Sequence, residues 1–197
     1  MKYIVYTLIL LLFTVACNTQ DSISGDDYFD DGEYEQAIEA YTSYLATHPD
    51  HVKSLYNRGR SYEEVGKLEE AIKDFEEIID LDPKNINAYL SLAKISYNTR
   101  EYSKVLVYAG AAIDLNENMA QAHFLAGRAE HQLGYFDQAM ESYNNAIAIN
   151  RDFGEAYLYR GAVKVGKEQF SSACEDFRFA KSLDVPEADK AIKDYCK

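Results

Sequence analysis

The chain has 197 residues and a formal net charge of −13, from 20 Lys and Arg against 33 Asp and Glu. Such a field repels phosphate backbones and anionic lipid, so binding of nucleic acid or of an anionic membrane surface through overall charge is excluded. With an apolar N-terminal run set aside, about 180 residues remain, enough for one elongated domain, and no Pro-, Gly- or Ser-rich linker divides them.

That run begins with Lys2 and continues from Tyr3 to Val15, broken only by Thr7 and Thr14. Its length suits a secretory signal and falls short of a membrane span. It ends in Thr14-Val15-Ala16-Cys17, which resembles a bacterial lipobox with Thr14 where leucine is usual. The resemblance implies a lipoprotein signal peptide over 1–16 and a lipidated Cys17 followed by a short tether over 17–24. An ordinary secretory signal and an uncleaved anchor are the alternatives. Asn18, where aspartate would favour retention in the inner membrane, points to the outer membrane facing the periplasm, with surface exposure left open.

The next segment, Asp21 to Asp31, carries five Asp and almost no apolar stripe, so a short or frayed helix is expected. Lys53 to Val65 and Glu69 to Asp80 read as paired amphipathic helices joined at Gly66 and Lys67. The second has Leu68, Ala71, Ile72, Phe75, Ile78 and Ile79 at helical spacing, which gives one buried and one charged face. It ends near Leu81-Asp82-Pro83, because proline restricts the residue before it and lacks an amide donor. Phe170 to Ser182 reads as a late helix of the same kind, and Pro186 opens a final one through Tyr195.

These elements repeat. Gly59, Ala93, Gly127 and Gly161 stand 34 residues apart, as do Leu68, Tyr102, Phe136 and Phe170, and Ala71, Val105, Ala139 and Ala173. A fixed step of this length marks stacked two-helix units, which build extended binding surfaces. Gly59 and Ala71 are expected where the two helices of a unit approach most closely, since a larger side chain would push the axes apart. Two aromatic columns are expected to be core: Tyr34, Tyr102, Phe136 and Phe170 in one, and Tyr41, Phe75, Tyr143 and Phe177 in the other.

Leu55, Gly59, Tyr62, Leu68, Ala71, Phe75 and Pro83 fall in the order of the tetratricopeptide repeat pattern. Gly25, Tyr28, Gly32, Tyr34, Ala37, Tyr41 and Pro49 match in the same phase before them. Gly127, Phe136, Ala139, Tyr143 and Ala146, then Tyr157, Gly161, Phe170, Ala173, Phe177 and Ala180, match after them. The chain thus resembles the tetratricopeptide repeat (TPR) family over about residues 20–185. The resemblance implies an all-α, right-handed superhelix over 25–185, built of about five helix-turn-helix units. The units fall at about 18–51, 52–85, 86–119, 120–153 and 154–185, with a capping helix over 186–197. The third unit departs from the pattern, with Ala109 where an aromatic is expected and Glu117 in place of proline. Tyr44 and Ile78 replace a small residue.

In this family the inner positions of each first helix line a concave groove. Carried onto this sequence they are Lys53, Tyr56, Asn57, Arg60, Leu90, Lys94, Tyr97, Asn98, Gln121, Phe124, Arg128, His131 and Gln132. The ninth position of successive units reads Arg60, Lys94, Arg128 and then Ala162, a basic ladder inside an acidic protein. Cations flanked by aromatics and amides can grip the carboxylates and backbone of an extended peptide. They can equally pair with Glu63, Glu64 or Glu130, and the sequence leaves the two readings even. The family's carboxylate clamp has lysine and asparagine where this chain has Tyr56 and Arg60, so the clamp is not carried over.

No phosphate-cradling glycine loop, HExxH or nucleophile elbow occurs, so no catalytic residue, cofactor or metal is expected. His48, Asp50 and His51 cluster but read as a polar turn rather than a metal site. His123 reads as packing. Glu63/Glu64 and Glu76/Glu77 are adjacent in sequence, point apart on a helix, and read as a solvated face. Once Cys17 is assigned, Cys174 and Cys196 are an even remainder in an exported chain, which favours a disulfide over two independent thiols. The two lie equidistant from the turn at 185, at one height in a helix hairpin. The bond would staple the last helix over the open edge of the solenoid and add roughly 3 kcal/mol.

The function expected is a non-catalytic, membrane-anchored scaffold of the bacterial cell envelope that binds a peptide or protein partner in its groove. Assembly or wall-remodelling factors are the partner class implied by resemblance to other repeat lipoproteins. Two rivals remain. One is a structural subunit of an outer-membrane complex docked through its convex face. The other is a peptidoglycan- or ligand-binding lipoprotein that stacks its ligand on Tyr56 or Phe124.

Overall fold

The computed structural model describes residues 20–196, with side chains from Gly25 onward. The expected signal peptide (1–16), the lipidated Cys17 and the start of the tether lie outside the described residues. Eleven helices and no strand are found among the described residues. They are α1 (Gln20–Asp30), α2 (Tyr34–Leu45), α3 (Val52–Glu64), α4 (Leu68–Leu81), α5 (Ile86–Asn98), α6 (Tyr102–Leu115), α7 (Ala120–Leu133), α8 (Phe136–Ile149), α9 (Gly154–Gly166), α10 (Phe170–Ser182) and α11 (Ala188–Tyr195). Each helix packs on its neighbours in sequence. The first helices of adjacent units also touch, α1 on α3, α5 on α7 and α7 on α9, so odd-numbered helices form one inner wall.

Helix α1, at 11 residues, is the shortest first helix of the five hairpins. It begins at Gln20, inside the stretch expected to be tether. Its acidic sequence supplies little apolar surface, and a polar network described below ties it down. At the other end, Pro186 and Glu187 form a turn, and the capping helix starts at Ala188 rather than at the proline. A disulfide joins Cys174 in α10 to Cys196, with the Cα atoms 5.6 Å apart. Ala188 closes onto Ala180 and Val185.

Every turn inside a hairpin is built alike. The backbone N–H of residues 33, 67, 101, 135 and 169 donates to the carbonyl five residues back, at 2.8–2.9 Å. That closure needs a left-handed residue just before the donor. Gly32, Gly66 and Gly134 provide it at φ 75–81°, but the third and fifth units use Arg100 (φ 64°) and Glu168 (φ 60°). A side chain there costs roughly 1–2 kcal/mol, from which glycine's extra chain entropy must be subtracted. Arg100→Gly and Glu168→Gly should therefore each stabilise the chain by about 0.5–1 kcal/mol, and Gly134→Ala should do the reverse. Urea midpoints at constant m-value check this, and a loss of stability in both glycine variants refutes it.

The core explains the 34-residue step. Tyr41, Phe75, Tyr143 and Phe177 are at most 1% exposed, and each ring lies against a glycine sixteen residues earlier. A Cβ built on Gly25, Gly59, Gly127 or Gly161 would stand 2.5–2.9 Å from that ring. The glycine marks the close approach that the sequence suggested, and what a larger side chain would meet there is the partner helix's ring. The third unit solves the same contact differently. Ala93 carries the Cβ, the facing residue is reduced to Ala109, and both are fully buried. The ring moves one place along, to Tyr108, which packs against the core clusters on either side.

The other aromatic column is not core. Phe136 and Phe170 are 44% and 49% exposed, and Tyr34 and Tyr102 only half-buried. These residues open the second helix of each unit directly after the turn, where one side faces solvent. The inner edge packs on the end of the preceding helix, as in Phe29–Tyr34, Tyr97–Tyr102 and His131–Phe136, with centroids 5.5–5.8 Å apart.

Candidate functional site

The inner wall presents α3, α5, α7 and α9, and the sequence-derived groove residues fall into three places along it. At the N-terminal end, Lys53 and Asn57 of α3 are tied to Asp26 of α1. The Asp26 carboxylate accepts from Lys53 Nζ at 2.5 Å, from Asn57 Nδ2 at 2.9 Å and from the Tyr41 hydroxyl at 2.7 Å. Partial burial pushes the Asp26 carboxyl up, but these three donors outweigh it and hold it below the usual range. Burial, with Asp26 beside it, raises the Tyr41 phenol. Asp26 occupies the ladder position of the first unit, one period before Arg60, so the ladder begins with an acid that supplies its own counter-charge.

In the middle, Tyr56, Arg60, Leu90, Lys94 and Gln121 surround one shallow depression together with Glu63. The sequence reads Glu63 both as a solvated-face residue and as a partner for the ladder cations, and the second reading holds. Its side chain is only 7% exposed, because it sits between Arg60 Nε at 2.9 Å and Lys94 Nζ at 3.4 Å. Arg60 also reaches Glu64 at 3.6 Å. Internal pairing thus accounts for two rungs. The Arg60–Glu63 contact is close but misaligned, since neither Arg60 Nε nor Glu63 Oε2 makes a hydrogen bond.

The third rung differs. Arg128 makes no ion pair among the described residues. Its guanidinium lies 3.7 Å from the ring centroid of Tyr97, 5.0 Å from Tyr159 and 5.7 Å from Phe124. Such stacking is favourable, more so away from water. Glu130, a candidate partner by sequence, instead accepts from Ser142 Oγ at 2.7 Å, and burial raises its carboxyl. The Arg128 Nε–H is buried without an acceptor, and so is the Tyr143 hydroxyl.

Other expected groove residues are placed elsewhere. Phe124 is 5% exposed, enclosed by Phe153 and Tyr159, and cannot serve as an open stacking platform. The rings of the following unit close over a position that the repeat alone assigns to the inner face. His131 meets Phe136 in a T-shaped contact, and burial lowers its imidazole. Asn98 and Gln132 are exposed in the last turns of α5 and α7. His51 caps α3, its Nδ1 accepting from the Ser54 amide, while His48 stacks on Tyr44 at 4.2 Å. His123 packs less than expected: its Nε2 lies 3.0 Å from the Glu117 carbonyl at the surface.

The structure also shows two buried ion pairs that the sequence reading missed. Arg58 meets Asp74 through two hydrogen bonds of 2.8 and 2.7 Å, and Arg160 meets Asp176 through two of 2.9 and 2.6 Å. Lys164 adds a second cation to Asp176 at 2.8 Å. Each arginine reaches on to the preceding unit, to Thr42 and Asn144 respectively. The signal was an Arg and Asp sixteen apart, recurring three periods later.

Comparison with known proteins agrees with this architecture. The family described as "Tetratricopeptide repeat" matches residues 24–86, and "TPR repeat" matches 127–167. The crystal structure of MamA is 28% identical with a TM-score of 0.76, covering 84% of this chain and 96% of that one. A MamA from Desulfovibrio magneticus RS-1 is 17% identical with a TM-score of 0.79, covering 85% and 94%. YrrB, described as a TPR protein with an unusual peptide-binding site, is 22% identical with a TM-score of 0.72, covering 88% and 90%. A comparison with curated proteins found no match. The step of the sequence, the glycine–ring packing and these matches together establish that the chain belongs to the tetratricopeptide repeat family, as an all-α superhelix of five units with a capping helix.

Proposed function

We propose that this chain is a membrane-anchored, non-catalytic scaffold of the bacterial envelope that holds an extended segment of a partner protein in its inner groove. TPR folds serve protein–protein interaction, and YrrB illustrates a peptide site on this architecture. The observation that carries the reading is Arg128, a cation on the inner wall of an acidic protein that pairs with no acid among the described residues. The anchor rests on the lipobox-like Thr14 to Cys17 and the outer-membrane assignment on Asn18.

Affinity capture from native envelope tests both parts. Arg128→Gln should reduce partner recovery about tenfold, as expected for losing charge-assisted contacts. The unfolding midpoint should change little. Unchanged recovery rejects the groove, and membrane association that survives Cys17→Ala rejects the lipid anchor. Val107 on α6 and Phe179 on α10, 66% and 58% exposed, favour a second reading in which the outer helices dock a larger complex. Crosslinks concentrated on α6 and α10 would support that surface instead.

A further inference from the structure

The step from the fifth unit to the capping helix is closed differently from the steps before it. Cys174 stands in the column of Ile38, Ile72, Leu106 and Met140, spaced by 34 residues. Ile72, Leu106 and Met140 pack in apolar clusters that reach the first helix of the following unit. At the last step that apolar contact is replaced by the bond from Cys174 to Cys196. Little else holds the end of α11. Among the described residues Ala188, at its start, is the only one in this helix that is buried. Ala191 and Ile192 are half-buried, and Lys193, Asp194 and Tyr195 are exposed. The ion pair of Lys181 with Asp189 lies in solvent and contributes little. A helix of 8 residues does not sustain itself in water.

The bond can also be reached. Cys174, 7% exposed, lines a surface cavity of about 310 Å³ whose other walls are Phe170, Ser171, Arg178 and Tyr195. Arg178 follows Cys174 by one helical turn, is exposed, and makes no ion pair among the described residues. Exchange begins when a thiolate attacks a disulfide sulfur, and a free cation beside that sulfur draws the thiolate in.

We propose that this cavity is a thiol–disulfide exchange site, where a dithiol reductant opens the bond and releases the end of the cap. One thiolate of the dithiol attacks Sγ of Cys174. The Cys174–Cys196 bond breaks, and Cys196 leaves as a thiolate. The second thiolate then attacks the reductant's own sulfur in the mixed disulfide, and Cys174 leaves in turn. Each cysteine takes up from water the proton that the reductant gave to it. Two electrons pass to the chain, and the reductant departs as a disulfide. Without its clamp α11 frays from the C-terminal end. The Tyr195 ring, 6.2 Å from that of Phe177, then leaves the edge of the last hairpin, which opens. This site is independent of the groove reading.

The mature chain is treated with dithiothreitol in native buffer, and alkylation of Cys174 and Cys196 is read by mass spectrometry. The rate should rise in proportion to dithiothreitol and exceed that of global unfolding. In the reduced chain the amides of Ala191 to Cys196 should lose about tenfold or more of their protection from hydrogen exchange, while α9 and α10 keep theirs. Cys196→Ala should show the same pattern without reductant. Arg178→Glu should slow reduction about fivefold at low salt, and less at high salt, because it repels the thiolate. A rate independent of dithiothreitol, set by global unfolding, overturns the exchange site. So does full protection of α11 after reduction, or a loss that spreads through α9 and α10. An unchanged rate in Arg178→Glu overturns the cavity as the point of attack.

Discussion

Phe177→Ala should destabilise the protein by about 3–5 kcal/mol, the usual effect of emptying a fully buried aromatic site. Gly161→Ala should cost about 1–3 kcal/mol on its own, because its Cβ would stand 2.5 Å from the Phe177 ring and the packed hairpin has nowhere to shift. The two losses should not add. With the ring gone, the new methyl group enters vacated space, and the double variant should be more stable than the sum by about 1–3 kcal/mol. The molecule already contains that arrangement as Ala93 facing Ala109, both fully buried. Tyr108 fills the third unit from the next position, and the fifth unit has Asp176 there, so the double variant still falls short of wild type. Urea unfolding of the four proteins completes the cycle. Strict additivity would show that glycine and ring do not share one contact, and the explanation of the 34-residue step would fail with it.

That contact also marks how far the sequence could be read. The glycine column and the ring column are both visible as periodic residues, and their joint exception at Ala93 and Ala109 is visible too. What the period cannot supply is depth. It makes Phe136 and Phe177 equally regular, yet one opens a helix at the surface and the other is sealed in the hairpin. It likewise makes Tyr56 and Phe124 equivalent on the inner wall, but Phe153 and Tyr159 cover only the second. The basic ladder was legible as a column, while the fate of each rung depends on residues off the column. Glu63 turns inward and neutralises two cations, Glu130 turns to Ser142, and Arg128 is left on aromatic faces. Asp26 was missed as the first rung because its helix lacks an apolar stripe. A polar network holds that helix where apolar packing holds the others.

Asp176→Ala should be as damaging as the loss of a core ring, about 3–5 kcal/mol, because it strands two charges at once. Asp176 is 2% exposed, and the side chains of Arg160 and Lys164 that it pairs are 17% and 14% exposed. Salt should restore little, since a buried pair is poorly screened. The burial of charge is not what the fold needs, however. Leu92 with Tyr108, and Ala126 with Ser142, occupy the same two positions in the third and fourth units. Copying the fourth unit, which keeps the glycine–ring pair, into the second, as Arg58→Ala with Asp74→Ser, should therefore stay within about 1–2 kcal/mol of wild type, whereas Asp74→Ala alone should cost about 3–5 kcal/mol. Thermal and urea unfolding of these variants separates the two ideas. If the uncharged pair proves as harmful as the single deletion, the ion pair contributes something that packing cannot replace. The bond from Arg58 to Thr42, which crosses into the first unit, is then the contact to remove next.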